Sequence, residues 1–467
     1  MNEKWIEHIK SVTLVSLVIL SFVLSGFLWY SAPTYKGNKP EYPLPPYPFD
    51  DGKYNQKSIY QLISPFQMIV HHPTKTSWLL PENSTYEQLL DTIREAKLRD
   101  TTFIQPSPED WKKLYQQSMG VEFLFTHDQS LSVLDPYFKD SLRQDAVLNR
   151  LNQISRICFF IDPQSQLLHV WFISDQEQKI VQAKVEYEDS KLEQLFVDAN
   201  QKSTVQLSLV SSDGKLPWEA TPENVPFSRV FYIPEQPLAV NEAVYSTGKY
   251  EIDHMQQWLF RDPGLEPILL NKNESVYMYN DQLLTSYKDG NFMVYNDARS
   301  KSQLNVVPIG DELIQVNNFM QRHRGWSGNY LLDKVTLDPE DYNQYTFRLF
   351  VLGYPIYWKS SSIDSVVHLD QIHLRSGTNG VSKYSRSLYY LKGEPTLTAS
   401  QLPSKNELLQ SLKEKKVPLK SIERVLPGYQ AHFMNKDNQV KLEPVWVIYT
   451  NTQDSPFFFN SSSKRGG

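Results

Sequence analysis

The stretch SVYMYNDQLLTSYKDGNFMVY, Ser275–Tyr295, holds three short runs rich in aromatic and aliphatic residues: Ser275–Tyr279, Leu283–Tyr287 and Phe292–Tyr295. Asn280-Asp281 and Asp289-Gly290 separate them, and Asn296-Asp297 follows the third. Asn, Asp and Gly tolerate the positive φ of tight hairpin turns, so the pattern predicts a β-meander, continued by a fourth run at Leu304–Val307. Combined with the helices on either side, this antiparallel pattern sets the fold class as α+β.

Downstream, Asp311–Arg324 has helical spacing, with Leu313, Ile314, Val316, Phe319 and Met320 inward and Gly325 placed for a left-handed C-terminal cap. Long strands are expected at Tyr345–Tyr357, Val366–Leu374 and Ser385–Leu391. Beyond them Ser404-Lys405-Asn406-Glu407 forms a capping box leading Leu408, Leu409 and Leu412. Two strands near Gly428–Met434 and Val440–Tyr449 flank an Asn435–Asn438 turn. The second is apolar on both faces from Val445, so it should be covered on both sides. Helix, strand with Gly-Tyr (Gly353-Tyr354, Gly428-Tyr429) and further strand occur twice in this order, a hint of internal duplication.

Upstream, Ser84-Thr85-Tyr86-Glu87 reads as a capping box before Leu89, Leu90 and Ile93, and Ser107-Pro108 starts a helix with Trp111, Leu114 and Tyr115 inward. Ile157–Ile161 and Leu167–Ile173 are strands paired about Pro163-Gln164-Ser165, followed by a helix at Lys191–Ala199 and a strand at Val205–Val210. With 467 residues, about three domains are expected: 55–263, 264–393 and 394–451, with a polar tail at 452–467.

The N-terminus carries Val12–Tyr30, nineteen residues without a charge. As a helix they extend about 28 Å, close to the hydrocarbon thickness of a bilayer. A cleaved signal peptide is the rival reading, but its apolar region is shorter and ends in small residues, whereas Trp29 and Tyr30 suit a membrane interface. Lys4 and Lys10 balance Lys36 and Lys39 across the span, so flanking charge does not choose an orientation. The short 1–11 segment is expected inside and the long remainder exported. Ser21, Ser25 and Gly26 form a small-residue face that permits close helix packing in lipid. Pro40, Pro43, Pro45, Pro46 and Pro48 fall within nine residues and make 31–54 an extended stalk.

Composition excludes several classes. Lys and Arg number 47 against 53 Asp and Glu, a net charge of −6, which opposes sequence-independent nucleic-acid binding. The single cysteine, Cys158, rules out an intrachain disulfide and a thiolate-rich metal site, and its apolar run marks it as a core residue. His368, Asp370 and His373 are the best polar cluster, yet in a strand His373 points away from the other two. His71-His72 read as loop. Ser327, in Gly325-Trp326-Ser327-Gly328, lacks the context of a nucleophile elbow, and Glu186, Glu188 and Asp189 read as a solvated surface. No catalytic, cofactor or metal motif is found, so a non-enzymatic role without a small-molecule substrate is expected.

The whole chain resembles the YycH (also called WalH) family of Gram-positive bacteria. The resemblance rests on Tyr287–Gly290 with its following strand, Phe319–Trp326, Phe347–Tyr357, Tyr384–Leu391, and Gly428-Tyr429 through Leu442–Trp446. The last of these looks like the terminal domain shared with the companion protein YycI, which would account for the internal repeat. The resemblance implies a single-pass membrane protein with three extracytoplasmic domains. Such a protein acts with YycI on the sensor histidine kinase WalK (YycG) of the two-component system governing cell-wall metabolism, partly through membrane helices. The rival functions are an extracytoplasmic binding module for a wall fragment or peptide, and an enzyme acting on the wall.

Overall fold

A computed structural model describes residues 3–30, 56–81, 83–138, 142–186, 191–219, 229–260, 265–287, 291–300, 308–337, 342–359, 368–377, 380–434 and 439–460. The stalk, Asp289-Gly290, Leu304–Val307, the 435–438 turn, Glu188, Asp189 and 461–467 lie outside them. The chain divides into two units, Met1–Leu44 and Pro45–Gly467. In the first, α1 runs Glu3–Tyr30.

The second unit begins with α2 (Ile59–Leu62) and a sheet of nine described strands: β1 Gln67–His72, β2 Lys75–Leu79, β3 Lys97–Ile104, β4 Met119–Gln129, β5 Ile154–Ile161, β6 Leu168–Ser174, β7 Lys179–Glu186, β8 Val205–Ser211 and β9 Val230–Pro234. Their order is β3-β7-β6-β5-β4-β1-β2-β8-β9, antiparallel throughout. Helices α3 (Ser84–Arg94), α4 (Pro108–Gln116), α5 (Leu131–Leu134) and α6 (Lys191–Lys202) accompany it, with α4 and α6 packed against β1. The expected Ser107 start is present, its hydroxyl accepting from Asp110 N, and Trp111, Leu114 and Tyr115 are buried. The α3 start shifts by one residue. Asn83 caps it, its side-chain oxygen accepting from Thr85 N at 3.0 Å, and Ser84 becomes the first helical residue.

Strands β10 (Leu238–Ala239) and β22 (Gln401–Leu402) pair with each other. The remaining strands, fourteen among the described residues, form one long sheet. The meander is seen as β12 Ile268–Asn271, β13 Glu274–Tyr279, β14 Gln282–Tyr287 and β15 Phe292–Asp297, each antiparallel to the next. β15 continues the sheet through β20 (Gly380–Ser387), β19 (Gln371–Gly377) and β17 (Gln344–Val351), with β16 (Asn329–Thr336) also on β17. β18 (Tyr354–Trp358) then joins β23 (Ile422–Met434), followed by β24 (Gln439–Thr450), β11 (Glu242–Lys249) and β21 (Tyr389–Thr398). The β18–β23 pairing is parallel. Helices α7 (Ile252–Phe260), α8 (Ile309–Arg322) and α9 (Lys405–Glu414) belong to this half. In α9 the expected capping box is present, Glu407 accepting from Ser404 N at 3.0 Å.

Several local readings change. Tyr345–Tyr357 is a hairpin, because Leu352 and Gly353 take φ of 50° and 78° and reverse the chain between β17 and β18. Ser385–Leu391 is broken at Leu388, which is fully buried between β20 and β21. At the end of α8, Arg324 rather than Gly325 takes the left-handed conformation, at φ 51°. Gly325 N then donates to Met320 O at 2.7 Å, and a Cβ there would meet the Met320 thioether, 2.6 Å from Cε. Ile314 is exposed. Residues 453–459 of the expected tail form β25 (Gln453–Phe459), paired with β24. β24 is buried at every position from Val445 to Ile448, as expected for a strand covered on both faces.

Phe66 packs with Phe350, Tyr357, Leu426, Val445 and Val447 in one buried cluster, with Leu124 and Tyr449 at its margin. This cluster joins the nine-stranded sheet to the long sheet.

Candidate functional site

On α1, Ser21 and Ser25 are four residues apart and so share a face, both exposed. The described side chains around them include exposed Leu17, Leu20, Phe22 and Leu24. Among the described residues no helix is long and apolar enough to cross a membrane. Gly26 lies within α1, and its surroundings are outside the described side chains.

A second candidate lies at the seam between the two sheets. The end of β4, the loop before β5 and the β6–β7 turn face β16, β23 and β24 across a cleft of about 350 Å³. His127 on β4 places Nδ1 3.1 Å from Asp333 Oδ1 on β16. Asp333 also takes Arg348 Nε at 2.8 Å, and Arg348 Nη1 reaches Asp370 Oδ2 at 2.9 Å. Arg348 further stacks 4.2 Å above the Tyr357 ring. Burial opposes charge on Asp333, yet Arg348 and His127 hold its carboxyl far below the usual range. At the rim Arg424 of β23 donates to Phe125 O and to Asp128 of β4. The seam is therefore stitched by ion pairs at its edge and by apolar packing beneath.

The nine-stranded sheet holds a separate buried network that sequence reading missed. Glu122 is fully buried, with His71 Nε2 at 3.0 Å, Arg156 Nη1 at 3.3 Å and the Tyr232 hydroxyl donating to it. Arg156 also donates to Tyr115 Oη and Asp175, each at 2.8 Å. Burial would raise the Glu122 carboxyl, but Arg156, His71 and Tyr232 draw it down to about 2. His71 thus belongs to β1 and is buried, contrary to a loop assignment. The available signal was Glu122 and Arg156 standing inside apolar runs, VEFLF and ISRICFFI. A charge in such a run needs a partner in the fold.

The other polar candidates are structural. His373 Nδ1 lies 3.1 Å from Thr346 Oγ1, whereas Asp370 accepts from Arg348. Ser327 Oγ accepts from Arg386 Nη2 at 2.6 Å and is buried. Cys158 is buried in β5, and burial pushes its thiol well up. Among the described residues no three metal-ligating side chains gather.

Two family models match in tandem: "YycH protein, N-terminal domain" over residues 7–203 and "YycH protein, C-terminal domain" over residues 228–460. The chain belongs to the YycH family. The N-terminal match ends just before β8 and the C-terminal match begins just before β9, so β8 lies in the interval between them and the C-terminal match covers β9 as well as the long sheet. A curated relative, the "Two-component system WalR/WalK regulatory protein YycH" of Bacillus subtilis (strain 168), is 19% identical over 465 residues, covering 98% of each chain. The crystal structure of YycH from Bacillus subtilis matches with a TM-score of 0.64 at 14% identity, over 88% of this chain and 99% of that one. The fold is thus YycH-like, a mixed α/β architecture of antiparallel sheets. The name of that curated relative makes it a regulatory protein of a two-component system.

Proposed function

We propose that this protein is a membrane-anchored, extracytoplasmic regulator of the sensor kinase WalK, acting together with YycI. The observation that carries this reading is the end-to-end match to a relative named as a WalR/WalK regulatory protein. Val12–Tyr30 crosses the bilayer once, the 1–11 segment stays inside, and the stalk holds three exterior domains, the last related to YycI. Regulation requires two kinase states for which the protein has different affinities. Close packing of the Ser21, Ser25 and Gly26 face against a kinase or YycI helix supplies one such difference.

Replacing Ser21 and Ser25 by Leu tests this in cells. Reduced co-purification of WalK and altered expression of its regulon are expected. Unchanged values for both would refute helix packing, and an unrelated anchor that preserves signalling would refute any role of the span beyond attachment. The seam cleft favours a second reading, an exterior binding module for a wall fragment or peptide. Under that reading residues 56–460 released in soluble form restore regulation without α1.

A further inference from the structure

Lys57, among the first described residues after the stalk, docks on elements of the C-terminal half. Lys57 is 8% exposed and inserts between α8 and β16 of the C-terminal half. Its Nζ donates to Asn329 Oδ1 at 2.7 Å and to Tyr330 O at 2.9 Å. Its own carbonyl accepts from Asn317 Nδ2 at 2.9 Å and Gln321 Nε2 at 2.6 Å. Both of the acceptors on Nζ are neutral, so neither supplies a counter-charge to offset burial of an ammonium. α8 and β16 offer the amine only amide and carbonyl groups. On the open side, a cleft of about 570 Å³ is lined by Tyr60, Glu87, Asp91, Arg94 and Tyr137. Arg94 is held there by Asp91 at 2.8 Å and lies over Tyr60.

We infer that Lys57 is a proton-sensitive latch, which in its neutral form fastens the segment leading into α2 to the C-terminal half and on protonation weakens that attachment. Burial lowers the lysine from 10.5 to about 7, in line with its neutral hydrogen-bond partners. The sign follows by linkage. A released lysine binds its proton up to about pH 10.5, but the docked one only up to about pH 7. Docking is therefore weakest below about pH 7 and strengthens up to tenfold per pH unit above it.

Nitroxides on Gln56→Cys and Asn318→Cys, in the full chain in lipid nanodiscs, report docking as a short inter-label distance. The docked fraction is expected to rise from about pH 7 to about pH 9 in the otherwise wild-type chain. Lys57→Met should abolish the pH dependence, and Asn329→Asp should also flatten it by giving the ammonium a carboxylate partner. A docked fraction constant over that range in the otherwise wild-type chain overturns the proposal. An equal slope in Lys57→Met overturns it as well. No kinase is needed, so the result is separate from the assignment of the partner.

Discussion

His127 and Asp333 are 206 residues apart in the chain, yet they meet at 3.1 Å across the seam between the two sheets. Asp333 is buried with Arg348, whose other contacts reach Asp370 and the Ile356 carbonyl. The seam thus places a charge from each of several strands where none could stand alone. Asp333→Asn should lower unfolding free energy by about 3 kcal/mol, because Arg348 loses half of its counter-charge inside the protein. His127→Phe, at a ring already 28% exposed, should cost less than about 1 kcal/mol. Urea unfolding of both variants measures the difference.

The Glu122 network predicts an acid limb in stability. The carboxyl is drawn from 4.5 down to about 2 in the folded protein, so its contribution is complete above about pH 4.5 and disappears as pH falls towards 2. That contribution is about 3 kcal/mol. Glu122→Gln should lower stability at neutral pH and flatten the curve between these limits, read by urea midpoints at successive pH values.

The turn that splits Gln344–Trp358 into two strands carries a leucine in the left-handed region. Leu352 has φ of 50° and is 37% exposed, so it loses conformational energy while burying little. Leu352→Asn should raise stability by about 1 kcal/mol, and Gly353→Ala, at φ 78°, should lower it by about the same amount. Thermal midpoints should move in opposite directions.

Gly120 lies where β4 meets β5, and a Cβ there would stand 2.3 Å from Phe159 O and 2.9 Å from Phe160 Cα. Backbone cannot yield as a flexible side chain does. Gly120→Ala should therefore cost more than about 3 kcal/mol or prevent folding. Gly214→Ala meets nothing within 4 Å and should cost only about 1 kcal/mol, from its φ of 77°. Denaturant midpoints of the two variants separate crowding from backbone strain.

Much of the local structure was legible. The meander at 274–297 and the Ser107 and Ser404 helix starts follow from turn residues and caps that act over three or four positions. So does the hairpin about Pro163. The errors arose where a distant contact overrode a local pattern. Tyr345–Tyr357 reads as continuous strand by side-chain type, but Val351 pairs with Tyr354 and β18 crosses to lie parallel to β23, more than seventy residues later. His71 looks solvated beside His72, yet Glu122 holds it from the neighbouring strand.

The candidate sites divide in the same way. Ser21, Ser25 and Gly26 could be named as candidates from sequence because they lie in one continuous apolar run. The seam cleft and the Lys57 latch were not visible, since each unites residues separated by some two hundred positions or more.

By itself the sequence determined the α+β class, most helices and strands, and the family, because caps, turns and alternation depend on near neighbours. Only the tertiary structure decided that the strands assemble as two large sheets, that Asp333, Arg348 and Glu122 find their charge partners inside them, and that Lys57 lodges against α8 and β16. The reason is physical: periodicity specifies which face of an element is buried, while the partner that satisfies a buried charge is chosen by the fold.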